Sequence, residues 1–248
     1  MKKIELLIVK ISIISAIKRG YMKKINKNCA VFLAQASHDL RQPLQALILY
    51  LDLFDTSDLS PKQKQLWGKI LKTTGSLKVL LNNILDFSKI EFGDIKVKKE
   101  TFNIGDLLNN LAQEYKIIAE SKKINFEYNT CNACINTDAI LTERILRNLL
   151  SNAVKFTQDK IKISCQENIN NVIINIKDNG VGIDKDELPN IFDEFFQGRN
   201  AYIFNNDGVG LGLAIVKKIA DKLNIKINVY STINKGTRFK IMFNRINH

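Results

Sequence analysis

Leu40, Leu44, Leu47, Leu51 and Phe54 follow one another at alternating spacings of four and three residues. After a break at Ser57-Asp58-Leu59-Ser60-Pro61, the same rhythm resumes in Leu66, Ile70, Thr73, Leu77, Leu80, Ile84 and Phe87. Apolar positions at this period lie on one helix face, and two such stripes joined by a short Pro-containing turn predict an antiparallel helical hairpin. One hairpin leaves much of its stripe bare. Two would close a four-helix bundle, so the pattern predicts a homodimer.

From Thr101 onward the pattern changes. Ile104–Ser121 reads as helix, Phe126–Tyr128 as a short strand and Asp138–Phe156 as helix. Ile161–Cys165 and Val172–Lys177 alternate as strands, and Asp184–Ile191 and Leu211–Leu223 read as helices. Ile225–Tyr230 and Thr237–Phe243 form a closing hairpin with Gly236 in its turn. The expected fold class is α+β: a helical hairpin, then an α/β sandwich with helices on one face of a mostly antiparallel sheet. The expected divisions are a helical leader over 1–27, the hairpin over 28–91, a linker over 92–100 with Gly93 as breaker, and a second domain over 101–248.

Composition changes this picture in two places. A length of 248 residues holds one large or two modest domains, and 45% hydrophobic with 25% charged residues is ordinary for a globular protein. The net charge of +12 is not ordinary, and residues 1–28 carry eight lysines and arginines against Glu5 alone. Two readings are open for this segment: a solvated leader or signalling-helix end, and a basic helix making peripheral contact with an anionic membrane. Ile4 to Ile17 is too short to span a bilayer and contains Glu5 and Lys10. The second place is cysteine. Cys131-Asn132-Ala133-Cys134 is a lone CxxC with no further pair or histidine nearby, so Cys29, Cys131, Cys134 and Cys165 are expected to be free thiols.

Three segments carry candidate chemistry. Asn148, Asn152 and Lys155 lie at i, i+4 and i+7, so they share one helix face. Two neutral oxygen donors and a cation suit a Mg²⁺–triphosphate, and the alternative is a plain polar stripe. Asp178-Asn179-Gly180-Val181-Gly182 follows a strand. A carboxylate there can accept from an exocyclic amine such as that of adenine, and the alternative is a strand-to-helix turn. Gly208-Val209-Gly210-Leu211-Gly212 opens a helix whose N-terminus would hold phosphate. A dinucleotide fingerprint would need a preceding parallel strand, and residues 193–207 read as loop. Far upstream, His38 lies in Ser37-His38-Asp39-Leu40-Arg41-Gln42-Pro43-Leu44, just off the hairpin seam, with Pro43 expected to bend the helix five residues later.

In order and spacing, the three segments resemble the asparagine box and the two glycine boxes of the histidine kinase, gyrase, Hsp90 and MutL ATPase superfamily. Ile191-Phe192-Asp193-Glu194-Phe195-Phe196 resembles the phenylalanine box of histidine kinases, and Ser37–Leu44 resembles their phosphoacceptor box. The likeness covers roughly residues 28–245.

The resemblance implies a dimeric phosphotransfer hairpin followed by an ATP-binding domain. His38 would be the phosphoacceptor and Asp39 would accept a proton from, or orient, its ring. Asp178 would bind the adenine amine, Asn152 with Asn148 would handle Mg²⁺, and Lys155 would contact phosphate. Gly180 and Gly182 would shape the pocket, while Gly208, Gly210 and Gly212 would form the lid hinge and phosphate turn. Residues Gln197 to Asp207 would be the lid, with Arg199 approaching the γ-phosphate. Gln42 stands where the family most often has Thr or Asn, a position associated with orienting water for dephosphorylation of the regulator. Val209 stands where Thr or Ser is frequent. The implied function is ATP-dependent autophosphorylation of His38 and transfer to an aspartate of a response-regulator receiver domain acting in trans, at a cytoplasmic location. The alternatives are a catalytically weak dimeric scaffold and a nucleotide-gated clamp. No nucleic-acid partner is expected, because the charge excess lies largely in the leader.

Overall fold

A computed structural model of the chain describes residues 40–92, 96–199 and 210–246. The chain divides into two compact units between Ile95 and Lys96.

In the first unit, α1 runs through residues 40–53 and α2 spans Pro61–Phe92. The turn between them is fixed locally. Asp55 Oδ1 accepts from the Ser57 amide at 2.9 Å and its hydroxyl at 2.7 Å, which closes α1. Ser60 caps α2 in a reciprocal box: its amide donates to Gln63 Oε1 at 2.8 Å and the Gln63 amide returns to Ser60 Oγ at 3.4 Å. Pro61 occupies the first helical position, where its missing N–H costs nothing. Leu44 is buried with Leu81 and Leu85, and the Phe54 and Trp67 rings stack at 4.6 Å. Rising numbers on α1 thus meet falling numbers on α2, so the hairpin is antiparallel. Leu40, Leu47, Leu66, Ile70 and Leu77 stay exposed, and they lie on the predicted seam.

The second unit contains β1 (Glu100–Asn103), α3 (Ile104–Ser121), β2 (Asn125–Asn129), β3 (Cys134–Thr137) and α4 (Ala139–Phe156). It continues with β4 (Lys160–Glu167), β5 (Asn171–Asp178), α5 (Gly212–Leu223), β6 (Lys226–Thr232) and β7 (Gly236–Asn244). The main sheet has the order β2-β4-β5-β7-β6, parallel only between β2 and β4. Alternate residues explain its two faces. Ile161, Ile163, Val172, Ile174, Ile176 and Ile241 are buried under the helices, while their sequence neighbours point outward. Asn103 and Asp138 cap α3 and α4 through their side-chain oxygens, and Asp138 also accepts from the Lys98 amide at 2.8 Å.

Four expectations are corrected. Residues 184–191 form turns and a 3₁₀ segment, Leu188–Asn190, in place of a helix, because Pro189 removes an amide and clashes with the preceding turn. Linker residue Glu100 already belongs to β1, which pairs antiparallel with β3 in a small sheet absent from the sequence reading. Gly236 is the first residue of β7, not a turn residue. Cys131 and Cys165 are joined in a disulfide, with Cα atoms 5.4 Å apart. β2 leaves its pairing at Asn129, opposite Ser164, and Asn129 Oδ1 accepts from the Cys165 amide at 3.2 Å, which carries Cys131 over Cys165. Cys134, the other half of the CxxC, is a free thiol in β3.

Among the described residues no helix is long and apolar enough to cross a membrane. The basic leader and Cys29 lie outside the described residues.

Candidate nucleotide site

The site is built where β5, α4 and α5 end or begin close to one another. β5 delivers Asp178 at its last position, almost fully buried. Asp178 Oδ1 accepts from the Gly180 amide at 2.8 Å and from the Thr237 amide at 3.2 Å. Burial pushes its carboxyl above the usual range, and the two amide donors oppose that shift without cancelling it. The result is a desolvated acceptor in a fixed orientation.

The loop after Asp178 is equally constrained. Asn179 Oδ1 accepts from the Thr157 hydroxyl at 3.0 Å and from the amides of Asp159 and Lys160 at 3.2 and 2.9 Å. Its Nδ2 donates to Asp159 Oδ1 at 2.6 Å. A Cβ on Gly180 would collide with the Phe156 carbonyl, which also accepts from the Val181 amide at 3.4 Å. Gly182, at φ +69°, lies against the Thr232 carbonyl in the same way. Ile183 donates its amide to Ser231 Oγ at 2.8 Å, and Asn234 donates to the Val181 carbonyl at 2.8 Å. The glycine loop is therefore clamped between the end of α4 and the β6–β7 turn.

On α4, Asn148, Asn152 and Lys155 are all half-buried. Asn148 Nδ2 donates to the Arg144 carbonyl at 2.9 Å. A Cβ on Gly212 would approach Asn148 Oδ1 to 3.1 Å, so the amide oxygen faces the start of α5. Neutral amide oxygens at this helix face fit Mg²⁺, which takes oxygen ligands, keeps several waters and shares the substrate's phosphates. Lys155 Nζ lies 5.2 Å from the Phe156 ring centroid. The second glycine segment joins the phenylalanine segment through Phe195, whose amide donates to the Gly210 carbonyl at 3.1 Å, and Glu194 bonds Lys218 of α5 at 2.8 Å.

The structure thus brings Asn148 to Gly212, the end of α4 to Gly180, and Asp178 to Thr237. Arg199 is placed elsewhere: it is exposed, its amide bonds Glu187 Oε1 at 2.9 Å and its Nε lies 3.9 Å from the same oxygen. Gln42 is exposed on α1. His38, Asp39, Gly208 and Val209 lie outside the described residues.

Three contributors escaped the sequence reading. Asn179 stands second in the glycine motif, where its bonding depends on residues 157–160, and Thr237 supplies only its amide, which no side-chain pattern reveals. Arg144 stands one turn before Asn148, in step with Asn148 and Asn152, and the spacing of four was the available signal. Burial lowers its guanidinium pKa to about 10.

Comparison with known proteins follows the same division. Residues 137–246 match the profile of the histidine kinase-, DNA gyrase B- and HSP90-like ATPase. Residues 30–93 match the His Kinase A phospho-acceptor domain. The autoinducer 2 sensor kinase/phosphatase LuxQ of Vibrio vulnificus is 34% identical over 235 residues, covering 91% of this chain and 27% of LuxQ. The sensor histidine kinase GacS of Pseudomonas protegens is 32% identical, covering 86% of this chain and 24% of GacS. RcsC of Escherichia coli, also a sensor histidine kinase, is 31% identical, covering 88% and 24%. The chain spans about a quarter of the length of these relatives. Among solved structures, full-length ShkA in complex with AMPPNP superposes with a TM-score of 0.72 at 24% identity, covering 87% of this chain and 46% of ShkA.

Proposed function

Because this chain belongs to the histidine kinases, with a phospho-acceptor domain followed by an ATPase domain, we propose that it moves the γ-phosphoryl group of ATP to His38 and on to an aspartate of a response regulator. The observation that carries the ATP reading is Asp178: a buried carboxylate at a strand end, pinned through Oδ1 by two amides. Its Oδ2 would accept from the adenine amine. The clamped glycine loop gives the base a surface formed by backbone.

In the proposed transfer, Lys155 would contact phosphate, and Asn148 and Asn152 would hold Mg²⁺. The bound ion would neutralise charge developing on the phosphate oxygens. His38 attacks the γ-phosphorus in line. A P–N bond forms as the P–O bond to ADP breaks, and Asp39 takes the imidazole proton or orients the ring. Arg199 would reach the γ-phosphate only by exchanging Glu187 for it. Gln42, an exposed amide on α1, would orient water for dephosphorylating the regulator, in keeping with the name of LuxQ as a kinase/phosphatase.

The exposed stripe of Leu40, Leu47, Leu66, Ile70 and Leu77 supports a homodimer. A cytoplasmic location fits the need for ATP and a regulator. Peripheral membrane contact by the leader forms no part of the proposal. An acceptor domain matched together with the ATPase favours the kinase over a scaffold or clamp.

The test is autophosphorylation with γ-labelled ATP and Mg²⁺. The expected label is acid-labile and alkali-stable, and absent in His38→Ala and Asn152→Ala. Label that persists in His38→Ala would overturn the assignment.

A further inference from the structure

The main sheet has a second face, opposite its helices, with an unusual charge order. Lys162 on β4 stands directly opposite Lys177 on β5, and Lys177 directly opposite Arg238 on β7. Neighbouring strands lie about 4.8 Å apart, so three cations form a row roughly 10 Å long. Like charges directly opposite on adjacent strands destabilise a sheet. One step along, Lys240 follows Arg238 on the same face, opposite Asn175. Glu127 stands opposite Lys162 at the β2 edge, and it is bound to Lys160 at 2.6 Å.

The row lines a concavity of about 430 Å³, within the range of small-molecule sites. None of the side chains lining it is acidic. Beside the cation row, in register with Lys240, lie neutral hydrogen-bonding groups from Asn129, Ser164 and Asn175. Arg238 is held in place by Tyr230, with its guanidinium carbon 4.5 Å from the ring centroid.

The chemistry selects the occupant. A protein interface core is depleted in lysine, whereas here lysines form the centre. Single-stranded nucleic acid needs bare aromatic faces for stacking, and Tyr230 is covered by Arg238. Several closely spaced charges on a compact, hydrophilic molecule match the row. We propose that this face binds a small soluble anion carrying two or more phosphate groups, held by Lys162, Lys177, Arg238 and Lys240 at a site separate from the nucleotide pocket. The bound anion relieves the repulsion between the opposed cations, and binding weakens as salt rises.

The probe is inorganic tripolyphosphate, titrated calorimetrically into the full chain in EDTA and low salt. The expected result is saturable one-to-one binding, weakened at least tenfold in Lys177→Ala and in Arg238→Ala, and still saturable with the same stoichiometry in Lys155→Ala, which removes the phosphate contact of the nucleotide pocket. Thermal unfolding gives a second reading on the same proteins. Without anion, Lys177→Ala should melt no lower than wild type, and tripolyphosphate should raise the wild-type midpoint but not that of the variant. Absence of saturable binding overturns the proposal, as does binding lost in Lys155→Ala yet kept in Lys177→Ala. Capture by anionic vesicles or oligonucleotides with no response to tripolyphosphate also overturns it.

Discussion

Thr237 donates its backbone amide to Asp178 Oδ1 at 3.2 Å, although 59 positions separate them in the chain. β7 thereby orients the carboxylate that β5 delivers. That carboxylate is almost fully buried, and burial raises its pKa.

The linkage gives the first prediction. A carboxyl whose folded pKa lies above its unfolded value favours the folded state while protonated. That contribution is complete below the ordinary value of 3.8 and is lost as pH rises through the raised folded value. Above that value Asp178 therefore weighs against folding. Asp178→Asn keeps an oxygen for the Gly180 and Thr237 amides and removes the charge. It should melt at or above wild type at pH 7, with the advantage shrinking below pH 4, while nucleotide affinity falls about 100-fold or more. A variant that melts well below wild type at pH 7 would contradict this reading. Calorimetry and fluorescent-nucleotide titration supply the two measurements.

The glycine loop gives a second prediction. Gly182 combines φ +69° with the Thr232 carbonyl where a Cβ would go. Gly182→Ala should cost about 2–4 kcal/mol, a fall of roughly 5–15 °C in thermal midpoint. Gly212→Ala meets only the Asn148 side chain at 3.1 Å. It should change stability by less than about 1 kcal/mol and act chiefly on nucleotide binding. Equal destabilisation by both substitutions would show that the loop contacts are not the cause.

The hairpin supplies a third. Ile70 is 39% exposed and Leu77 48% exposed among the described residues. Sedimentation of the wild type should give a dimer, and Ile70→Asp should shift it toward monomer by placing a charge in the seam. A wild-type monomer at micromolar concentration would refute the bundle.

The Cys131–Cys165 link closes 34 residues of chain. Loop-closure arithmetic for that length gives about 3–4 kcal/mol. Oxidised protein should melt roughly 5–15 °C above the same protein in reductant, and Cys165→Ser should abolish the difference. Peptide mapping without reductant should recover Cys131 joined to Cys165 and leave Cys134 free.

Much of the fold was readable because local signals agreed with the global answer. α3 begins at Ile104 behind its Asn103 cap and ends at Ser121, as its periodicity indicated. β4 and β5 alternate cleanly, since one face is buried and the other solvated. The failures share a cause. β1 and β3 are four residues each, too short for alternation to register, and they exist only because the chain brings them together across about thirty positions. Residues 184–191 read as helix in the sequence, and Pro189 outweighed that tendency. Cys131 and Cys165 pair through the parallel register of β2 and β4, which no spacing rule contains. In the site, the side chains were visible as types in order. The amide of Thr237 and the multiple bonds of Asn179 were not, because the first belongs to the backbone and the second depends on a turn formed by other residues.

Asn179 has a mechanical consequence. By tying residues 157–160 to the strand end that carries Asp178, it welds the exit of α4 and the glycine loop into one rigid block. The geometry of that block is settled when the domain folds, before any nucleotide arrives. ATP therefore meets a finished cast on this side, and little of its binding free energy is spent on ordering it.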